Sequence, residues 1–330
     1  MRKILLSIVV GVYLAGVMGA PTPATAQQPL SARLAVHTGM MGAADTIAVR
    51  MGYFEKDGLK ADWKRFALGA QGRDAMIGGS IDINSTAVTP FLIGLEKGVP
   101  YTAVAVNSFF CGANRIVVLK NSDINSVAQL KGKKFAVARG TITDYVFASK
   151  IAPVYGLKPT DYEIANTEAK DRVPALVSGA VAVAALTDPF AAIAEQEGII
   201  RTIEEFCKYD PMPFMLTVTN KILQDKPEAV VAYLRGWLRA VKLLGEQPDK
   251  AAEVYVEDQK EQGRTVAKDV VVKMIQRMRY EPEITPEIER YLSDQANELK
   301  TEAGGRRLKT VPNIAKALNR DLLRKALAGL

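Results

Sequence analysis

The sequence predicts an α/β protein of two similar lobes, with mostly parallel sheets flanked by helices and a helical C-terminal region. Three observations predict it. The chain has 330 residues, enough for two domains at roughly 100 to 200 residues each. Short apolar runs alternate with segments of helical period, the order that folds into parallel strands covered by helices. That order then occurs twice. A composition of 48% hydrophobic and 24% charged residues excludes a disordered chain and a polytopic membrane protein.

Residues 1–26 read as a secretory signal: Arg2 and Lys3 form a charged start, residues 4–20 are almost wholly apolar, and Ala24-Thr25-Ala26 supplies a cleavage site. No Cys lies near that site, so a lipid anchor is not expected. The mature chain is expected to be exported and soluble. Its net charge, +7 before Arg2 and Lys3 leave, is scattered. The densest basic cluster, Lys131-Gly132-Lys133-Lys134, fits a solvated turn and lacks the interleaved aromatics of a nucleic-acid surface.

The first strand is expected at Arg33–Val36, then the loop from His37 to Gly42 and a helix at Ala43–Met51. A strand at Leu59–Phe66, a Gly69-Ala70-Gln71-Gly72 turn and a helix at Arg73–Ile77 follow. Ile81–Ile83 forms the third strand, Asn84-Ser85-Thr86 a turn in which Thr86 caps the next helix, and Tyr101–Val106 the fourth strand. The second round places strands at Phe135–Ala138, Tyr162–Ala165 and Val181–Leu186, with helices near 143–154, 170–178 and 189–196. Crossings between lobes fall at 109–114 and 208–213, which makes lobe 1 residues 27–110 with 213–330 and lobe 2 residues 111–212. Phe214–Thr219 is a strand, and the remainder is helical. Asp225 with Glu228 reads as a capping box for a helix burying Val230, Leu234, Trp237 and Leu238, and Thr285-Pro286 opens another helix.

Cys111 and Cys207 are the only cysteines. An exported chain permits them to form one disulfide, or they remain two buried thiols. Catalytic chemistry fails on residue supply. His37 is the single histidine, and no His-Glu-x-x-His, Gly-x-Ser-x-Gly, phosphate loop or Gly-x-Gly-x-x-Gly after a strand is present. Neither a metal nor a cofactor is expected.

In open α/β sheets, ligands bind outside the carboxyl ends of the strands. Those positions are Thr38, Gly39, Met40, Met41, Gln71, Asn84, Ser85, Thr86 and Ser108 in the first lobe, and Arg139, Gly140, Thr141, Ile142, Thr143, Thr187 and Asp188 in the second. Each Thr, Ser or Asn also fits a plain helix N-cap, Arg139 fits an ion pair or solvent, and His37 reads as structural. As a set they are rich in hydroxyls, amides and glycines. Met40, Met41, Phe109, Phe110 and Ile142 add apolar surface, so a small organic carboxylate or sulfonate fits better than nitrate.

Three runs carry a family resemblance: Gly52-Tyr53-Phe54-Glu55-Lys56-Asp57-Gly58-Leu59, Gly79-Ser80-Ile81-Asp82-Ile83 and Leu130-Lys131-Gly132-Lys133-Lys134-Phe135-Ala136-Val137, with Asp188-Pro189-Phe190 beside them. The chain resembles the nitrate/sulfonate/taurine and thiamine-precursor type of substrate-binding protein of ABC importers. The resemblance implies a type II periplasmic binding protein fold and a monomer that closes on a small molecule and delivers it to an inner-membrane permease. It places the ligand loops on Thr38 to Met41, Gln71, Asn84 to Thr86, Ser108, Thr141 to Thr143 and Asp188. A ligand sensor presenting to a membrane receptor is the alternative. A sibling branch makes the thiamine pyrimidine with a cysteine-rich motif, which this chain lacks.

Overall fold

The computed structural model describes residues 30–301 and 307–330. The expected signal, residues 1–26, lies outside the described residues. In chain order the first half runs β1 (Leu30–His37), α1 (Ala43–Arg50), β2 (Leu59–Phe66), α2 (Gly69–Ile77), β3 (Ile83–Ala87), α3 (Val88–Glu96) and β4 (Tyr101–Phe109). The second runs β5 (Asn114–Leu119), β6 (Lys134–Val137), α4 (Ile142–Val146), β7 (Glu163–Asn166), α5 (Arg172–Val177), β8 (Val183–Thr187), α6 (Phe190–Gln196) and β9 (Ile200–Glu205). The chain then returns through β10 (Pro213–Thr219) to α7 (Asn220–Asp225), α8 (Pro227–Glu246), α9 (Pro248–Glu261), α10 (Lys268–Gln276), α11 (Pro286–Lys300) and α12 (Asp321–Leu327).

Two sheets result, ordered β2-β1-β3-β10-β4 and β7-β6-β8-β5-β9. The two-sheet α/β class is the expected one, and each sheet is mostly parallel, with four strands running one way and one reversed. β1 pairs in parallel with β2 and β3, whereas β10 runs antiparallel to β3 and β4. In the second sheet β6 is parallel to β7 and β8, and β5 is antiparallel to β8 and β9. The reason is the crossing: a strand that enters from the other sheet arrives from the opposite end and slots in reversed. Two strands, β5 and β9, escaped the sequence reading because each abuts a crossing segment.

Three local expectations change. Asn84, Ser85 and Thr86 lie inside β3 rather than in a turn, and Ala87 takes the N-cap position of α3. Helix α2 begins at Gly69, so the glycine-rich turn is its first turn. Gly72 faces Asn84 there, where a Cβ would sit 2.6 Å from Asn84 Cγ, so only glycine lets the helix approach β3 this closely. Asp225 ends α7, and Lys226, not Asp225, precedes α8. Thr285 does cap α11, accepting from the Ile288 N–H at 3.4 Å.

The C-terminal helices cover the first sheet. Val230, Val231, Leu234 and Trp237 of α8 are at most 1% exposed, and each such side chain contributes about 1.5 to 3 kcal/mol on burial. Edge strand β4 is buried along its whole length because the chain covers it, with bridges from Phe109 to Arg279 and from Ala103 to Leu318. Cys111 and Cys207 form a disulfide with Cα atoms 4.8 Å apart. It ties the outgoing crossing to the returning one. Gly112 lies against the Arg277 carbonyl with no room for a Cβ.

Candidate functional site

A cleft of about 180 Å³ opens where the carboxyl ends of both sheets meet. The first-sheet side supplies Thr38, Gly39 and Met41 after β1, residues 67–70 from the end of β2 into the first turn of α2, Ala87, Pro90 and Phe214, with Phe110 of the crossing beside them. The opposite wall is Arg139 to Thr143 from the end of β6 into the first turn of α4, Ala169 before α5 and Arg172 at its start, Thr187 at the end of β8, and Asp188 and Phe190 after it. The two walls nearly touch at one point, where a Cβ on Gly39 would lie 3.3 Å from the Asp188 carbonyl oxygen. Glycine there lets the first-sheet backbone come up to the second sheet.

Of the residues expected at the site, Thr38, Gly39, Met41, Arg139, Thr141, Thr143 and Asp188 line this cleft. Met40, Gln71, Asn84, Ser85, Thr86 and Ser108 do not. Met40 is fully buried. The Gln71 side chain turns back to accept the N–H groups of Ala67 and Leu68, both at 3.1 Å. Asn84 donates to the Gly69 carbonyl at 3.2 Å and holds α2 on β3. Ser85 accepts from Asn107 and Ser108 donates to it, each at 3.1 Å, all three within the core. Thr86 is 1% exposed, its hydroxyl lacks a partner, and Gly69 packs on it. Asn84, Ser85, Thr86 and Ser108 support the cleft from behind, because side chains inside a strand go to the two faces of the sheet and not beyond its end.

The polar wall has one neutralised charge and one open one. Asp188 is held by both terminal nitrogens of Arg115, at 2.7 and 3.1 Å, and caps α6 by accepting the Ala192 N–H at 3.1 Å. Burial pushes its carboxyl up while Arg115 draws it back. Arg172, 5% exposed, instead donates to two backbone carbonyls, Thr167 at 3.0 Å and Ala185 at 2.7 Å. No carboxylate of the described residues pairs with it, and burial lowers its guanidinium to about 10. Arg139 is exposed at the rim, with its backbone N–H on Asn166 at 2.9 Å. Thr141 caps α4: its hydroxyl accepts from the Asp144 N–H at 3.3 Å and donates to the Ala138 carbonyl at 2.7 Å.

The apolar wall is aromatic. Phe110 meets Phe214 edge to face at 5.3 Å, and His37 meets the same Phe214 ring at 5.3 Å. His37 is buried, and its Nε2 donates to the Ser85 carbonyl at 2.7 Å; burial lowers its basicity. It packs as a structural group. Sequence reasoning missed Arg172, Leu68 and Phe214. The signal for Arg172 was the end of β7, a strand end whose following residues were passed over.

The sequence pattern of the NMT1-like family matches residues 27–256. The chain belongs to the NMT1-like family. A Bacillus subtilis relative named for binding aliphatic sulfonates is 26% identical over 66% of this chain and 65% of its own length. The chain therefore spans about two thirds of that relative. Among solved structures, the periplasmic aliphatic sulphonate binding protein SsuA of Escherichia coli superposes with a TM-score of 0.75 at 20% identity, covering 88% of this chain and 92% of that one. The alkanesulfonate-binding protein SsuA of Xanthomonas axonopodis bound to MOPS gives 0.77 at 19% identity, covering 89% and 100%. At these identities the likeness establishes the fold: this NMT1-like chain has the two-lobed architecture of periplasmic binding proteins. No helix among the described residues is long and apolar enough to cross a membrane.

Proposed function

We propose that this chain is the periplasmic substrate-binding component of an ABC importer, capturing a small organic sulfonate or carboxylate and delivering it to a membrane permease. In this reading residues 27–110 with 213–330 form one lobe and 111–212 the other, and they hinge about the Cys111–Cys207 crossing. The single observation that carries it is the cleft bounded by strand ends of both sheets, with an unneutralised cation on one wall and aromatic rings on the other. A ligand touching both walls stabilises the closed arrangement over the open one. The family membership and the sulfonate-binding names of relatives agree with that chemistry. The residues proposed to meet the ligand are those on the cleft wall, among them Thr38, Gly39, Arg139, Thr141, Thr143 and, in place of Ser85, Phe214.

The test is a thermal-shift screen of the purified protein against alkyl and aryl sulfonates, carboxylates, nitrate and thiamine precursors. A ligand at 100 times its dissociation constant adds about 2.7 kcal/mol and raises the melting point by a few degrees. A dose-dependent shift from organic anions supports the proposal. Shifts confined to uncharged or cationic compounds refute it.

A further inference from the structure

Two arginines of the second lobe are equally buried and differently used. Arg115 is 3% exposed and spends its guanidinium on both oxygens of Asp188. Arg172 is 5% exposed, lines the cleft, and among the described residues meets only the carbonyls of Thr167 and Ala185. A buried cation without a counter-charge is costly, and two carbonyl dipoles offset only part of that cost. The Asp188 carboxylate, on the same wall, is already committed to Arg115. Across the cleft the wall offers Phe110, Phe214 and Leu68 and no charge.

We propose that Arg172 seats the anionic group of the ligand, and that the ligand is a monoanion whose apolar body lies against Phe110 and Phe214. This deepens the binding-protein reading and rests on it. One open charge calls for one negative charge, because the other cleft arginine, Arg139, is at the solvent-screened rim. The guanidinium's planar fork suits two oxygens of a sulfonate or carboxylate. A cleft of about 180 Å³ equals about six water volumes at ~30 Å³ each, which leaves room for one ring or a short chain beyond the anionic head. Nitrate fills the seat and leaves the aromatic wall bare.

The experiment is titration calorimetry with hexanesulfonate, hexanoate, benzenesulfonate, nitrate and 1-hexanol, on the parent and on Arg172→Gln, Arg172→Lys and Arg139→Gln, each first shown to melt cooperatively. The parent is expected to bind the six-carbon or aromatic anions more tightly than nitrate. Arg172→Gln is expected to weaken them by about 10- to 100-fold, Arg172→Lys by less, and Arg139→Gln by no more than about fivefold. Should Arg172→Gln bind the anions as the parent does, or Lys and Gln lose affinity equally, the seat is elsewhere while the binding-protein reading stands. Should 1-hexanol bind the parent and none of the anions do, the anion reading falls and the seat with it. Failure of every probe on a cooperatively melting parent counts against both.

Discussion

Arg115 holds both carboxylate oxygens of Asp188, at 2.7 and 3.1 Å, with both side chains buried. The pair bridges β5 and the turn after β8, where Asn114 and Thr187 face each other across the sheet. It fixes the floor of the cleft on the second-lobe side, and the same carboxylate anchors the first turn of α6 through the Ala192 N–H.

Removing one partner leaves a buried charge with only a long contact, Arg115 to Glu195 at 3.8 Å or Asp188 to Arg277 at 3.7 Å, and costs about 3 to 5 kcal/mol. Asp188→Leu and Arg115→Met should each lower the unfolding free energy in urea by that amount, and the Arg115→Met/Asp188→Leu double variant should recover much of the loss. A double-mutant cycle measures the coupling. Additive losses would show that the two side chains act independently.

The disulfide closes a loop of 96 residues between the two crossings. On the chain-entropy account a loop of that length restrains the unfolded chain by about 4 to 5 kcal/mol. Cys111→Ser with Cys207→Ser should therefore unfold at distinctly lower urea than the oxidised parent, and reductant should bring the parent down to the variant. A parent indifferent to reductant would show that the bond adds nothing to stability.

Gly69 and Gly72 are both spent on bringing α2 against β3. A Cβ at position 69 would lie 2.8 Å from Thr86 Oγ1 and 2.9 Å from its Cα, and one at 72 would overlap the Asn84 amide. Gly72→Ala should cost about 1 to 3 kcal/mol by overpacking. Because residues 67–70 line the cleft, it should weaken ligand binding as well. Gly58→Ala, at a left-handed turn with φ +72 and open space around it, should lower stability without touching affinity.

The same glycines show how far the sequence could be read. Alternation of apolar runs and helical segments sufficed for two sheets and for the strand ends as the place of the cleft, because period and order are local properties. Which side chains face the cleft is not local. Asn84, Ser85 and Thr86 look like a helix-capping turn, yet three backbone pairings to β10, at Thr217, Leu216 and Met215, draw them into a strand and bury their polar side chains. Arg172 sits one helical turn past a strand end, and only the packed structure separates it from the many solvated arginines by denying it a carboxylate. Phe214 enters the site because β10 returns between β3 and β4, a topology no local pattern encodes.

Asp45 in α1 is buried and donated to by Tyr233 at 2.5 Å. Burial raises its carboxyl to about 7, against a lowering by the Tyr233 hydrogen bond. The folded protein therefore holds this proton more tightly than the unfolded chain. The resulting stability is fully present below the ordinary carboxylate range near 3.8 and is lost as pH rises through about 7. At one unit per ~1.4 kcal/mol the full effect is about 4 kcal/mol at most. His37 acts oppositely: burial lowers its basicity, so its contribution is present above the usual value and lost as pH falls through the window below ~6.5. Asp45→Asn should gain on the parent in urea midpoints from pH 5 to about 7 and level off above that. Parallel profiles for the two proteins would remove Asp45 as the source of the pH dependence.

The C-terminal region, which covers the first sheet, also grips the second lobe on both flanks of the cleft. On one side Arg307 donates to Asp144 at 2.7 Å and Tyr145 donates to Glu298 at 2.5 Å. On the other, Arg264 donates to the Thr38 carbonyl at 3.2 Å while its guanidinium lies 5.7 Å from the Phe190 ring. If the lobes hinge as proposed, these ties belong to the closed arrangement and weigh against opening. A hydrogen bond to a charged group is worth about 1.5 to 3 kcal/mol, so Arg307→Met should lower the closed-to-open ratio roughly 10- to 100-fold. In small-angle scattering the ligand-free variant should show a larger radius of gyration than the parent, and a saturating organic anion should bring the two together. Its affinity should fall by the factor by which the closed fraction falls, since ligand must then supply the closing free energy. Unchanged radius and affinity would place Arg307 and Asp144 inside one rigid body, and the hinge would have to lie between other elements.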